Sequence, residues 1–319
     1  MIDFNEALKL FWQIHGFDVV YQPNCLKIPP EDDGVWKIQF PEVRWNQRSI
    51  VLMHCQDFLN INENGVRELQ IIEKYFGDKS RRVVVVVWNV GLIRQYQGPL
   101  NLCYFPSHSY NIIVNLLQHK SQWHPSTLNE HRSTVFQCLN GATRPHRCRL
   151  VQLLDQFPSK VISLGDDVAL PSWPYSTYRG TENEDNFLRL LPVYSDCSIN
   201  IVSETQYDYS PGIITEKTVF ALLSRQIPML IGYRGIVADL VGLGFDVFDD
   251  VIDVGYDSAD NDSRIEQAIE SNSVILTQGI SQDIIADRLD ANQNKVMTWP
   301  ERMIQSYQKQ CQNIMSSIL

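Results

Sequence analysis

Residues 83–87 are five consecutive valines inside "RRVVVVVWN". A strand with one wet face alternates apolar and polar positions, so an unbroken run predicts a strand buried on both faces, as in the middle of a parallel sheet. Other apolar segments of strand length predict strands over 17–22, 49–55 and 100–106, with the valine strand taken as 81–89. Apolar positions three and four apart predict helices over 4–14, 64–76 and 109–119. The polar stretch 120–133, "KSQWHPSTLNEHRS", breaks the pattern and reads as a linker. Beyond it the alternation resumes, with strands over 134–140, 161–165, 198–204 and 227–232 and helices over 147–157, 185–192 and 215–225. Three further helices are predicted over 262–271, 281–289 and 298–317. Strands alternating with helices indicate an α/β fold built on parallel sheets.

Two such series on either side of a linker predict two Rossmann-type domains facing each other across a cleft. The expected division is 1–130, 131–297 and a C-terminal helix, 298–319, returning toward the first domain. Open parallel sheets bind ligands beyond the carboxyl ends of their strands, which directs attention to the loops after 140, 165, 204 and 232.

Composition narrows the class. With 319 residues, 44% of them hydrophobic and 20% charged, the chain has the make-up of a globular protein large enough for two cores. No apolar run approaches the roughly 20 residues of a membrane helix, so no membrane span is expected. The N-terminus lacks a basic leader region, so no secretory signal is expected either. Seven scattered cysteines, an odd number without metal-type spacing, fit a reducing cytoplasm. The net charge of −10 argues against general nucleic-acid binding, and it is uneven. Residues 1–160 carry 17 basic and 14 acidic side chains, leaving 27 − 17 = 10 basic and 37 − 14 = 23 acidic in the remainder.

Two segments carry candidate chemistry. In "FQCLNGATRPHRCRLVQLL" (136–154) a strand ends at Asn140 and a loop bearing Arg144, His146 and Arg147 enters a helix, with Arg149 one step further on. Arginine at a helix N-terminus opposes the helix dipole. The pattern therefore reads either as an anion site built from guanidinium and free N–H groups or as solvated loop charge. In "NIVSETQYDYSPGIITEKTVFALLSRQIPMLIG" (200–232) a strand, loop, helix and strand follow in order. Ser203 and Thr205 lie at the strand end and Thr215 is placed to cap the helix. Glu216 suits the first turn and Lys217 does not, unless an anion sits above the helix. Carboxylate and ammonium together read either as a ribose and phosphate clamp or as a solvated helix start.

The second segment, "SET…GIITEKTVFALLSRQIPMLIG", resembles the nucleotide-sugar motif of the α-1,3-fucosyltransferases and related two-domain GT-B glycosyltransferases, approximately "ENS…DYITEKLxxAxxxxxVPVxxG". The first resembles the same family's "SNxxxxxRxxFxxxL". "GFDVFDDVIDVGYD" resembles glycosyltransferase-like proteins of bacteriophage and marine viral genomes. The likeness covers roughly residues 134–257. It implies that Glu216 holds the ribose hydroxyls and that Lys217 and Arg147 hold the pyrophosphate of a nucleoside-diphosphate-sugar. Asn140, Arg144, Ser203, Glu204 and Thr215 would fall around the same donor. The family's Tyr two residues before the Thr is Ile213 here, so GDP-fucose is one candidate donor among several.

Transfer to a hydroxyl acceptor with inversion requires a base, normally from the other domain. Asp57, in "MHCQDF" after the strand over 49–55, is the candidate, with His54 as alternative and a capping or solvated loop carboxylate as the plain reading. The acidic stretches near 165, 248 and 257 match what surface turns favour, and the resemblance implies a diphosphate managed by cationic side chains, so no metal and no cofactor are expected. The aromatic stretch "PSWPYSTYRG" (171–180) would suit sugar rings or a surface loop equally. The implied function is a metal-independent glycosyltransferase in the cytoplasm of a bacterial or phage-infected cell. The alternative is a non-catalytic glycosyltransferase-like binding or phage structural protein.

Overall fold

The structure is a computed structural model describing residues 4–22, 27–28, 37–38, 40–55, 65–88, 90–118, 132–164, 183–208 and 214–318. It divides into two compact units, one of residues 1–111 with 300–319 and one of residues 112–299.

In the first unit the order is α1 (Phe4–Ile14), β1 (Asp18–Gln22), β2 (Lys27–Ile28), β3 (Lys37–Ile38), β4 (Ser49–Cys55), α2 (Gly65–Phe76), β5 (Val83–Val87), α3 (Val90–Gln95) and β6 (Asn101–Tyr104). β2 and β3 form a short antiparallel pair. The other four strands make a parallel sheet in the order β1-β4-β5-β6. The valine strand is central and all five of its side chains are buried, as the pattern predicts. Val83, Val85 and Val87 pack with Leu69, Ile72 and Phe76 of α2 and Leu92 of α3. Cys103, the ladder partner of Val86, faces the opposite side and meets Cys311. That residue belongs to α12 (Trp299–Ile318), whose Tyr307 accepts a 3.1 Å hydrogen bond from Trp12 of α1 and packs on Phe105. A strand buried on both faces needs two helical layers, and the far end of the chain supplies part of the second.

The second unit follows α4 (Ser107–Gln118), which straddles the division. It contains β7 (Thr134–Asn140), α5 (Pro145–Leu154), β8 (Lys160–Leu164), α6 (Asn183–Asp196), β9 (Cys197–Ser203), α7 (Glu216–Leu223) and β10 (Ile227–Ile231). After these come α8 (Ile236–Gly242), α9 (Asn261–Ser271), α10 (Ser273–Gln278) and α11 (Ala286–Met297). Its sheet is also parallel, in the order β10-β9-β7-β8.

The α/β reading with two parallel four-stranded sheets is thus observed. The expected helix over 281–289 is displaced. Gln282–Ile284 forms a 3-10 turn and α11 runs over 286–297. Beside the buried Leu289 and Val296, this helix is held by polar contacts that apolar periodicity does not report. Arg288 chelates Asp246 and Asp250, Asn292 pairs with the backbone of Asp246, and Gln293 donates to the Leu223 carbonyl. α6 also continues through Pro192 to Asp196 rather than stopping there.

At the carboxyl end of β4 the buried His54 lies 3.1 Å from the Ser107 hydroxyl, and burial lowers its pKa to about 4. A histidine neutral in the fold and ordinary when unfolded takes up its proton on unfolding as pH falls below about 6.5. Stability should therefore be full near pH 7 and decline as pH falls from 6.5 toward 4, by about 2 kcal/mol between pH 7 and 5 from this residue. Urea titrations of the first unit's transition at pH 7 and 5 should show a smaller difference in His54→Gln than in the wild type. An equal difference would remove His54 as a source of acid sensitivity.

Candidate functional site

The second sheet dictates where a crevice can form. Its first two strands in sequence, β7 and β8, lie side by side, and the third, β9, joins on the far side of β7. The connections accordingly cover opposite faces. Phe136 of β7 packs on Phe157 just past α5, whereas Phe187 of α6 packs on Phe220 of α7. Strands whose connections leave in opposite directions part beyond their carboxyl ends, and ligands of open α/β sheets bind there.

The ladder records this parting. β7 and β9 pair from Thr134↔Cys197 to Gln137↔Asn200 and no further. Yet β7 stays with β8 to Asn140↔Leu164, and β9 stays with β10 to Ser203↔Ile231. Asn140 and Ser203 stand at the two tips of the fork, in step with Phe136 and Ile199 and so on the α5 face of the sheet.

Three basic residues from the loop and first turn of α5 bridge the fork, each donating to one of three successive carbonyls beginning at the last residue of β9. Arg147 Nη2 reaches Ser203 at 3.2 Å, His146 Nε2 reaches Glu204 at 3.1 Å and Arg144 Nη1 reaches Thr205 at 3.2 Å. A carbonyl only accepts, so the His146 proton is on Nε2. Its ring stacks on Tyr207, centroids 4.9 Å apart, and burial, with the charges of Arg147 and Arg144 adding to it, lowers its pKa to about 4. Arg147 is buried and also donates to the Ala142 carbonyl, and desolvation followed by the Arg144 charge lowers its pKa below the ordinary value. Arg144 is exposed. Arg144, His146 and Arg147 therefore stand together at the fork, and Arg147, the innermost, is spent largely on backbone.

Across the fork Glu204 is completely buried. Its carboxylate accepts from the Thr215 backbone N–H at 3.0 Å, the Thr215 hydroxyl at 2.5 Å and the Thr218 hydroxyl at 2.7 Å. Thr215 is the cap of α7, accepting from the Lys217 N–H, as its position before the helix suggests. Gly232 admits this arrangement, since a Cβ there would come within 3.2 Å of the Glu204 Cβ and 2.9 Å of Ile236. Glu216 and Lys217 follow, about one-fifth exposed and paired with each other at 2.6 Å, with Lys217 Nζ 3.4 Å from the Thr215 hydroxyl. Their ion pair answers the unfavourable placement of Lys217 against the dipole, an outcome that neither a solvated first turn nor a bare phosphate clamp describes.

Asn140, Arg144, Arg147, Ser203, Glu204, Thr215, Glu216 and Lys217 all belong to this one edge of the second unit. Three cations stand among two carboxylates, a local excess of one positive charge. Asp57, Ile213 and the 171–180 stretch lie outside the described residues. Among the described residues no cluster of His, Cys, Asp or Glu is placed to hold a metal ion, and no helix is long and apolar enough to cross a membrane. Sequence reasoning missed Arg264 and Tyr207. Arg264, buried, donates to the carbonyls of Gly232 and Tyr207 and lies over the Tyr207 ring, and no local pattern marks it. An open hollow of about 470 Å³ beside Asp253, Asn272 and Gly279 lies off the amino edge of the sheet, where Gly279 meets Val135, and contains none of the predicted residues.

Comparison of the chain with protein-family models, curated proteins and solved structures finds no match.

Removing the Glu204 carboxylate leaves three donors at the α7 N-terminus without an acceptor. Glu204→Ala should destabilise the second unit by about 3 kcal/mol, and Glu204→Gln, which keeps one carbonyl oxygen, by clearly less. Urea midpoints of the three proteins test this, and an alanine variant as stable as the wild type would show that the carboxylate holds nothing in place.

Proposed function

We propose that the second unit binds a nucleoside-diphosphate-sugar beyond the β7/β9 fork and that the protein is a GT-B-like glycosyltransferase delivering the sugar to a hydroxyl acceptor. The observation that carries the reading is the convergence of Arg144, Arg147 and Lys217 with the hydroxyl- and carboxylate-bearing N-terminus of α7 at one sheet switch point. A diphosphate leaving group gains negative charge as the glycosidic bond breaks, and pre-oriented cations and N–H groups at that place lower the barrier. Arg144 is the cation open to solvent. Lys217 joins it by exchanging its bond to Glu216 for a phosphate oxygen, which frees Glu216 to accept from ribose hydroxyls. Arg147 contributes positive potential from beneath.

The pairing of Glu216 with Lys217 also favours a second reading, a glycosyltransferase-like protein that binds without turning over, because the groups that would work on a donor are satisfied internally.

Thermal shifts against GDP, UDP, ADP and CDP test the donor site. One diphosphate at about 100 times its Kd should stabilise the protein by about 2.7 kcal/mol. Lys217→Ala and Arg144→Ala should each weaken that diphosphate about tenfold, the loss of one charge-assisted contact. No response to any of the four sinks the reading. Release of free sugar from the corresponding donor without acceptor separates an enzyme from a binder.

A further inference from the structure

The fork holds polar atoms that the fold itself leaves unused. Among the described residues, Arg147 Nε, Asn140 Oδ1 and Ser203 Oγ are each buried without a hydrogen-bond partner. Their residues are 3%, 1% and 1% exposed. Ser203 is the clearest case, because its carbonyl is taken by Arg147 while its hydroxyl has no partner among the described residues. Asn140 spends its N–H2 on Cys138 Sγ at 3.3 Å and its backbone N–H on the Ser163 hydroxyl at 3.1 Å, leaving the amide oxygen. Arg147 spends both terminal nitrogens on carbonyls, leaving Nε.

Buried polar groups are nearly always paired, and an orphan costs roughly 1–3 kcal/mol. Other buried polar atoms without a partner occur among the described residues, Arg132 Nε and Ser224 Oγ at the amino edge of the same sheet among them, and these three are set apart by standing where two strands part. They also share a face. Asn140 and Ser203 are in step with Phe136 and Ile199, the ladder pair on the α5 side, and α5 carries Arg147. The position is the place where β7 and β9 cease to pair, so no strand-to-strand bond closes it.

The chemistry of the set discriminates among ligands. A phosphate oxygen only accepts, and would be repelled by the Asn140 carbonyl oxygen. A hydroxyl accepts from Arg147 Nε, donates to Asn140 Oδ1 and exchanges either way with Ser203. We infer that this niche receives a hydroxyl of the sugar moiety, while the diphosphate is left to the more exposed Arg144 and Lys217. The inference rests on the donor-site reading above and adds to it a division of labour within the site. Ser203 and Asn140 read the sugar, and the outer cations read the diphosphate.

A hydroxyl kept unpaired for a ligand is a stability cost to the free protein, so the inference predicts opposite signs for two measurements on one variant. Ser203→Ala should raise the melting temperature of the free protein by about 2–4 °C, because an unpaired buried hydroxyl is removed with little change of shape. The same variant should bind the sugar conjugate (GDP-fucose, UDP-glucose, ADP-glucose or CDP-glucose, according to which diphosphate the wild type binds) about fivefold more weakly. Affinity for the bare diphosphate should change less than twofold. Asn140→Leu, which replaces the orphan acceptor with an apolar group of similar size, should weaken the conjugate selectively in the same way. Equal loss of conjugate and diphosphate in both variants would overturn the division of labour. A lower melting temperature for Ser203→Ala with unchanged conjugate affinity would show that the niche holds only a structural water. Failure of the wild type to bind any diphosphate removes the donor site and this inference together. A wild type that binds the diphosphate, with no selective loss in either variant, removes the inference alone.

Discussion

Glu204 is the residue on which the candidate site of the second unit depends. It is the first residue after β9, it is fully buried, and its carboxylate gathers the cap hydroxyl, the cap N–H and a second threonine of α7. A helix leaves its first N–H groups without internal partners, and an acceptor fixed at a strand end satisfies one of them while setting where the helix begins. Thr215, Glu216 and Lys217 owe their position to that anchor. So does the requirement for glycine at 232, where the neighbouring strand end passes too close for a Cβ. The His146 and Arg144 contacts to the carbonyls of 204 and 205 fix the same segment from the other side of the fork.

Buried and half-buried arginines do the complementary work. Arg147 and Arg264 bind carbonyls at the carboxyl edge of the second sheet, and Arg132 binds those of Tyr194, Cys197 and Ser224 at the amino edge. Where a ladder ends or two strands part, backbone carbonyls lose their partners and must find others. The planar guanidinium, with five donors and a weakly hydrated charge, meets several of them at once. The candidate cations of this protein thus differ in how far the fold uses them: Arg147 is buried and binds two carbonyls, Arg144 is exposed and binds one, and Lys217 is paired with Glu216.

The two units differ in what their topology permits. In the first, the described strands succeed one another in spatial order, with α2 and α3 packed on the same face. Among the described residues that winding shows no point at which neighbouring connections leave in opposite directions. The second unit reverses direction between β7 and β9 and acquires its fork there. The clustering of unusual polar groups at one edge of the second unit follows from that difference in winding.

Much of this was legible in the chain. The valines of β5 declared a strand buried on both faces, the limits of β7 were read to the residue, and Thr215 announced the start of α7, because burial periodicity and capping are local properties. The sequence could also place Arg144, Arg147, Glu216 and Lys217 at strand-end loops of the second series. It could not say which would be spent on the fold. That Glu204 faces inward to α7, that Arg147 lies beneath the loop and that Lys217 pairs with Glu216 depend on groups 11 and 56 residues apart and on a one-residue neighbour with equal claim to a ligand. The order of the strands, the parting of β7 from β9 and the reach of Arg264 to Gly232 lie wholly in long-range packing. Local pattern fixes the limits of elements held by their own apolar period and caps, such as β7 and the start of α7, and not those of α6 and α11. The assignment of each buried charge to backbone or to ligand is decided only when distant segments compete for the same donors and acceptors.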